Sequence, residues 1–519
     1  MKFAIIFLSL VSTVYSYKIL CLQTVPSKSH YQLMRGLVNP LLEAGHKVYI
    51  TLITSFPELE ISKNVRVVDV SHVNKLHEYM AASDRTKQTM SIVQEFGRNI
   101  SIATIETPAV RDLLVKESFD AVISEWFFSD IDSGYAAIQQ APWILLSGMV
   151  MHHHIEFLID QVRSVSTIPA LKADFGIPMN FFERLSNTMT GYSQQQSDYE
   201  SQFYPLAQSR GVPLPPLLSA MHNISILFVN SHPSFAPAQS LPPNVINIAG
   251  YHIDPNIPPL PKDLQVLLDS STQGVIYFSM GSIVKSSEMP EQTNKNLFKI
   301  FQQLPYTVLW KYDGKVENLP KNVHIRSWMP QSSILAHPNT KIFITHGGLL
   351  STLESLYFGI PVIAIPVFGD QPSNARRCER AGHALTVKYG PNMDQELKEK
   401  LNIMLNNNSY YNKAKYISKL FRNRPVSTTK LIQHYVELAI ESKGKLLLVV
   451  VIKFAKRCCK VYIFLKAVSI VFSEMRYFPA VKSILYVNPD NQLSSYQISS
   501  KSIQWFSRNV FPDRQTQNF

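Results

Sequence analysis

The stretch THGGLLSTLESLYFGIPVIAIPVFGDQ, residues 345–371, decides how the chain is read. Gly347 and Gly348 punctuate a turn out of an apolar strand that ends at Thr345. A short helical run follows, and then the apolar PVIAIPVF, which reads as a buried strand. Strand, glycine turn, helix and strand is the unit of a parallel α/β sheet. The polar residues fall where strands end: His346 leaves one strand, and Asp370 and Gln371 leave the next.

The same alternation runs through the rest of the chain. YKILCLQTVPSKSH reads as a strand entering a loop, and YQLMRGLVNPLLEAGHKVYITLIT as a helix, a turn at Gly45 and a second strand. FDAVISEWF and PWILLS are further buried strands. After the proline-rich PAQSLPPNVINIAGYHIDPNIPPLP a second set begins: GVIYFSMGS, YTVLWKY, VHIRSW, KIFITHGG and PVIAIPVF. The expectation is two doubly wound parallel-sheet domains, an N-terminal one over 17–240 and a C-terminal one over 263–442, joined by a linker at 241–262. The 519-residue length suits two domains with extra segments.

Ligands in such sheets sit beyond the carboxyl ends of the strands. Four exits of the second set carry polar groups: Ser282 after Gly281, Trp328 with Gln331, His346 with the glycines, and Asp370 with Gln371. Together they describe one long cleft suited to a nucleotide diphosphate. Gly347 and Gly348 let backbone approach a phosphate, and the helix start after them presents free N–H groups and its positive dipole end. His346, Ser282 and Ser351 add donors. Glu354, about one helical turn past Ser351, can accept two hydrogen bonds from a ribose diol. Trp328 offers a flat face to a base, and Asp370 and Gln371 suit sugar hydroxyls. No Asp-x-Asp pair suggests a metal, and donors can stand in for one.

WMPQSSILAHPNTKIFITHGGLLSTLESLYFGIPVIAIPVFGDQ closely resembles the signature of the UDP-glycosyltransferases, which include the animal UDP-glucuronosyltransferases. The resemblance runs from about Tyr17 to about Gly444. It implies the GT-B architecture, two Rossmann-like domains facing one cleft, with the UDP-sugar on the C-terminal domain and the acceptor on the N-terminal one. It implies that Trp328 stacks on uracil, Gln331 meets the nucleoside, and Ser282, His346 and Ser351 meet the pyrophosphate. Glu354 then holds the ribose, and Asp370 and Gln371 the sugar. Several family members carry Asn four residues after the signature His; here the residue is Leu350. That departure, with no obvious extra arginine for a sugar carboxylate, points to a neutral hexose over glucuronic acid.

The family's catalytic histidine lies in the loop after the first strand, which here makes it His30. An imidazole at the cleft mouth can take a proton from an acceptor hydroxyl, and an ordinary pKa near 6.5 suits that task. The histidine's usual partner is an Asp at the end of the strand in FDAVISEWF; Glu125 holds that position and can orient the ring and stabilise imidazolium. The expected reaction is inverting transfer of a hexosyl group to a small lipophilic acceptor, with the UDP-sugar as co-substrate and no cofactor. His152, His153 and His154 read as acceptor-side loop residues, and the segment from His152 to Leu217 as the acceptor pocket.

The formal charge of +12 comes without a nucleic-acid motif, so nucleic acid is not an expected partner. Four cysteines make no zinc or dense disulfide pattern. Residues 1–16, MKFAIIFLSLVSTVYS, have the basic start, apolar run and short-residue end of a signal peptide. The expected location is the secretory pathway, in the lumen of the endoplasmic reticulum with membrane association, or secreted if the anchor is lost, and sequons at Asn99, Asn223 and Asn407 agree with it. The tail over 443–519 is apolar but broken by Lys453, Lys456, Arg457, Lys460 and Lys466. It reads as a basic segment on a membrane surface, a compromised anchor or an aberrant end. Two rival functions stay open: a silent binder of lipophilic ligands, and a nucleotide-binding oxidoreductase, which would need a Gly-x-Gly-x-x-Gly that the opening strand lacks.

Overall fold

Two fully parallel sheets carry the molecule in a computed structural model of the chain. The described residues are 17–44, 49–58, 65–76, 90–159, 179–188, 196–236, 241–282 and 284–445. The expected signal peptide and the tail beyond 445 lie outside them. Among the described residues no helix is long and apolar enough to cross a membrane.

The first sheet is built from β1 (Lys18–Gln23), β2 (Tyr49–Thr54), β3 (Val65–Asp69), β4 (Ala121–Glu125), β5 (Trp143–Ser147), β6 (Ile224–Val229) and β7 (Val245–Asn247). Their order in space is β3-β2-β1-β4-β5-β6-β7. The second uses β8 (Val275–Ser279), β9 (Thr307–Lys311), β10 (Val323–Arg326), β11 (Thr340–Thr345), β12 (Val362–Ala364) and β13 (Ala384–Thr386), ordered β10-β9-β8-β11-β12-β13. The central strands β4, β5, β6 and β8 are buried along their whole length. Helices cover both faces of such sheets, so their strands read as continuous apolar runs and not as alternation. This is the expected doubly wound fold, present twice.

Each order reverses once, between β1 and β4 in the first sheet and between β8 and β11 in the second. Crossovers leave to opposite sides of a reversal, so a crevice opens at the strand ends there. His30 follows β1 and Glu125 ends β4; Gly281 and Ser282 follow β8 and His346 follows β11.

Two boundaries differ from the sequence expectation. The linker placed at 241–262 contains β7, an edge strand hydrogen-bonded to β6. Pro242 and Pro243 just ahead of it hid the strand, although an edge tolerates proline. The helix Thr428–Glu441, assigned above to the C-terminal domain, packs on the first sheet instead. Its Ile432, Val436 and Ala439 join the apolar cluster of Leu37, Leu41 and Ile226, and the Gln433 side chain donates to the Pro40 carbonyl at 2.7 Å. A stripe at that spacing must be covered, and the covering face belongs to the other half.

Candidate active site

Every site residue expected from the sequence except Gly347 lines one cavity of about 1030 Å³, to which both halves contribute. Gly347 sits just behind the wall with φ +79°, a left-handed turn that only glycine adopts freely, and its carbonyl accepts from Asn374 at 3.1 Å.

His30 is the third residue of helix α1 (Lys28–Glu43). Gln23 pins the loop before it: its amide donates to the Val25 carbonyl at 2.8 Å and its oxygen accepts from Thr54 at 2.6 Å. His30 Nδ1 lies 2.7 Å from Glu125 Oε1, with the carboxylate side chain only 5% exposed. The reach is made possible at Gly148, just past β5, where an added Cβ would stand 2.4 Å from Glu125 Oε1. Phe127 meets the His30 ring edge-on, with centroids 5.0 Å apart. Burial disfavours a charged ring, but the Glu125 charge and hydrogen bond, with Asp370 beyond, outweigh it and raise the His30 pKa. The ordinary value expected from the sequence is therefore corrected upward.

On the opposite wall the His346 ring is slotted between two glycines. A Cβ on Gly281 would stand 2.6 Å from its Cε1, and one on Gly348 2.5 Å from its Nε2. Burial, with the nearby Lys311 charge, pushes His346 down to about 4, so the ring is neutral at physiological pH. Helix α2 (Gln331–Ala336) faces α3 (Leu349–Phe358). The Gln331 amide donates to Ser351 Oγ at 3.0 Å and also to Glu354, which accepts from Ser332 as well. Burial nevertheless raises the Glu354 pKa against those two hydrogen bonds. Leu350, the departure noted above, packs on the apolar cluster of the first half that includes Tyr251.

Asp370 stands just before helix α4 (Gln371–Arg380), and its carboxylate accepts from the Asn374 side chain at 2.7 Å. Burial raises its pKa, opposed by Asn374 and by the Arg377 and His30 charges. The Gln371 oxygen accepts from the backbone N–H groups of Val367 and Phe368 at 2.8 and 3.1 Å, leaving its amide as the end that can donate into the cavity. Trp328 is 59% exposed at the mouth, with Lys28 Nζ 5.5 Å and Lys311 Nζ 5.9 Å from its ring centroid.

The cavity lining from the first half differs from the expectation at two of the histidines. His152 and His154 are buried beside Trp126 and are not in the cavity wall. Apolar lining comes instead from Val93, Phe96, Phe127, Phe128 and Met149. Much of the segment from His152 to Leu217, including 160–178, lies outside the described residues. Sequence reasoning also passed over Lys28, Lys311, Ser332 and Gly148. One of these could have been found, since Lys28 stands two residues before His30.

The profile of the family described as "UDP-glucoronosyl and UDP-glucosyl transferase" matches residues 20–457. The chain is 31% identical over 470 residues to UDP-glucosyltransferase 2 of Dactylopius coccus, covering 86% of this chain and 88% of that protein. It is 26% identical over 448 residues to UDP-glucuronosyltransferase 2A3 of Mus musculus, covering 80% and 82%. Among solved structures, the glycotransferase of kitacinnamycin superimposes with a TM-score of 0.58 at 15% identity, over 81% of this chain and 99% of that one. The likeness at that identity is one of fold, the GT-B arrangement of two parallel-sheet domains. The family match reaches from the first strand past the last described helix and takes in both switch points, and on it the chain belongs to the UDP-glucuronosyl and UDP-glucosyl transferases, enzymes that transfer sugar from a UDP-sugar.

Proposed function

We propose that this enzyme transfers a neutral hexose, with inversion, to the hydroxyl of a small lipophilic acceptor, and that His30 is the general base. The observation that carries the reading is the His30–Glu125 contact of 2.7 Å at the switch point of the first sheet, facing Asp370 across the cavity. With Nδ1–H donating to Glu125, the lone pair is on Nε2. That atom takes the acceptor proton as the oxygen attacks the anomeric carbon. The C1–O bond to UDP breaks on the opposite face, and UDP leaves with the electron pair. Glu125 holds the ring and stabilises the imidazolium that forms.

Trp328 and Gln331 take the uridine, Glu354 the ribose, the wall of Ser282, His346, Gly348 and Ser351 the pyrophosphate, and Asp370 with the Gln371 amide the sugar. Phe96, Phe127 and Met149 favour an apolar acceptor beside the base. Leu350, turned to apolar packing, supports a neutral sugar. The UDP-sugar is co-substrate, with no further cofactor, and the signal-like first 16 residues support a lumenal location with the basic tail against a membrane surface. A panel of UDP-sugars with one phenolic acceptor, read by the mass of the conjugate, tests the reading. A conjugate with UDP-glucose is expected; one formed only with UDP-glucuronic acid overturns the choice of donor.

A further inference from the structure

We propose that Lys28 and Lys311, one from each half of the molecule, form a two-lysine clamp on the donor's pyrophosphate. The proposal rests on the reading above, in which the wall around Ser282 and His346 receives that group.

Lys311 ends β9, next to the β8 exit, and its Nζ donates to the Gly281 carbonyl at 2.7 Å. Gly281 lies against the His346 ring and precedes Ser282, so the ammonium stands at the phosphate wall. Lys28 opens α1, two residues before His30, and reaches over from the other half to the same indole. Both lysines line the cavity, and neither forms an ion pair among the described residues. Two ammonium groups held near one indole repel each other; burial lowers the Lys311 pKa and the Lys28 charge adds to it, against the Asp313 charge. An anion between them would relieve both costs.

The chemistry calls for that charge. As the bond to the anomeric carbon breaks, the β-phosphate oxygen takes the electron pair, and cations already in place stabilise it without reorganising. His346 supplies a hydrogen bond there but no charge, because its ring is neutral. Trp328 holds the lysines through its ring face while a base can stack on the same surface, so donor binding hands the cations from indole to phosphate.

Calorimetry on the full chain with UDP and with uridine tests this, using Lys28→Met, Lys311→Met and Lys28→Arg. Lys311→Met is expected to weaken UDP binding about tenfold or more, as a charge-assisted bond in a partly buried wall would. Lys28→Met, at an exposed position, should cost about two- to fivefold and lower the salt dependence of UDP binding. Lys28→Arg should restore it, and uridine affinity should not move. An equal loss for uridine would mean that the lysines serve Trp328 and the base, which overturns the clamp. A loss confined to UDP-glucuronic acid when it is compared with UDP-glucose would place them at the sugar and also overturns it. If Lys311→Met does not fold, Lys28→Met alone decides, because its side chain is exposed. UDP binding by wild type with no loss in Lys28→Met refutes the clamp and leaves the donor site standing; no UDP binding by wild type refutes the donor site itself.

Discussion

His30 Nδ1 sits 2.7 Å from Glu125 Oε1, a contact between residues 95 apart that joins the exit of β1 to the end of β4. These two strands are neighbours only because the sheet order reverses between them. The crevice, the proposed base and its carboxylate neighbour thus come from one topological event. The second sheet repeats it, with Ser282 and His346 at its own reversal. Chemistry is assembled where the two crevices share a cavity.

Gly148→Ala should damage catalysis without touching the donor site. The new methyl would meet Glu125 Oε1 at 2.4 Å and Leu33 Cδ1 at 2.7 Å, and the carboxylate is the group free to turn away. Losing the orienter of a base costs about 10- to 100-fold in kcat when the displacement is on the order of 1 Å. UDP affinity should stay at the wild-type value. A variant with unchanged kcat would show that Glu125 does not need its present position.

His346 should bind as a neutral hydrogen-bonding group. Its pKa of about 4 in the free protein leaves the ring neutral from about pH 8 to 6, and it gives UDP affinity a pH dependence there only where the bound diphosphate lifts that pKa. His346→Ala is expected to cost about 0.5–1.5 kcal/mol, the worth of a neutral hydrogen bond, and His346→Gln to recover most of it. Titrations of wild type and His346→Ala at both pH values check this. A gap between the two proteins that widens markedly at the lower pH would show a charged ring.

Much of this was legible in the sequence, for a physical reason. Buried parallel strands are largely apolar, so β4, β8 and β11 stand out as runs, and the polar residues at their ends mark the cleft. Partnership across sequence was not legible. The apolar stripe of Ile432, Val436 and Ala439 shows a buried face but not which sheet buries it. Lys311 looks like any lysine ending a strand until β8 places Gly281 beside it. His152 and His154 read as polar loop residues, yet Trp126 and Phe128 enclose them. The His30 pKa depends on Glu125 and Asp370, and no local pattern encodes either contact.

The share of stability that comes from Asp130 and Asp132 should fall as pH rises through the weakly acid range, against the opposite trend of the buried histidines held down to about 4. Burial lifts Asp130 and Asp132 from 3.8 to about 7, so each is neutral in the folded chain over an interval where the unfolded chain is ionised. Between about pH 4 and 7 these two groups hold protons in the folded state that the unfolded chain has lost, and their contribution to stability declines with rising pH. Asp130→Asn keeps an oxygen to accept from Trp126 Nε1, now at 3.2 Å, and removes the proton linkage. Relative to wild type, the urea midpoint of the variant should be higher at about pH 8 than at about pH 5, whatever the sign of the wild-type gap. An unchanged gap would mean that Asp130 is already ionised in the folded protein.

The base role of His30 separates from donor binding in one set of measurements. His30→Ala should leave UDP affinity nearly intact, because the ring belongs to the other wall, while transfer to an alcohol falls at least about 10²-fold. A phenol of low pKa needs less help with its proton, so its loss should be smaller. In wild type the alcohol rate should climb with pH through the His30 pKa. That pKa is raised, so the climb should be centred above the ordinary 6.5. The sign follows from the base being the neutral ring: a pKa raised by Glu125 keeps the proton on Nε2 to higher pH. Glu125→Gln removes the charge that opposes desolvation, so its limb should move to lower pH even as its maximal rate drops. His30→Ala should lose the limb altogether. Equal alcohol and phenol rates in His30→Ala and wild type would remove His30 from the chemistry, and a limb that stays put in Glu125→Gln would remove Glu125 as its electrostatic partner.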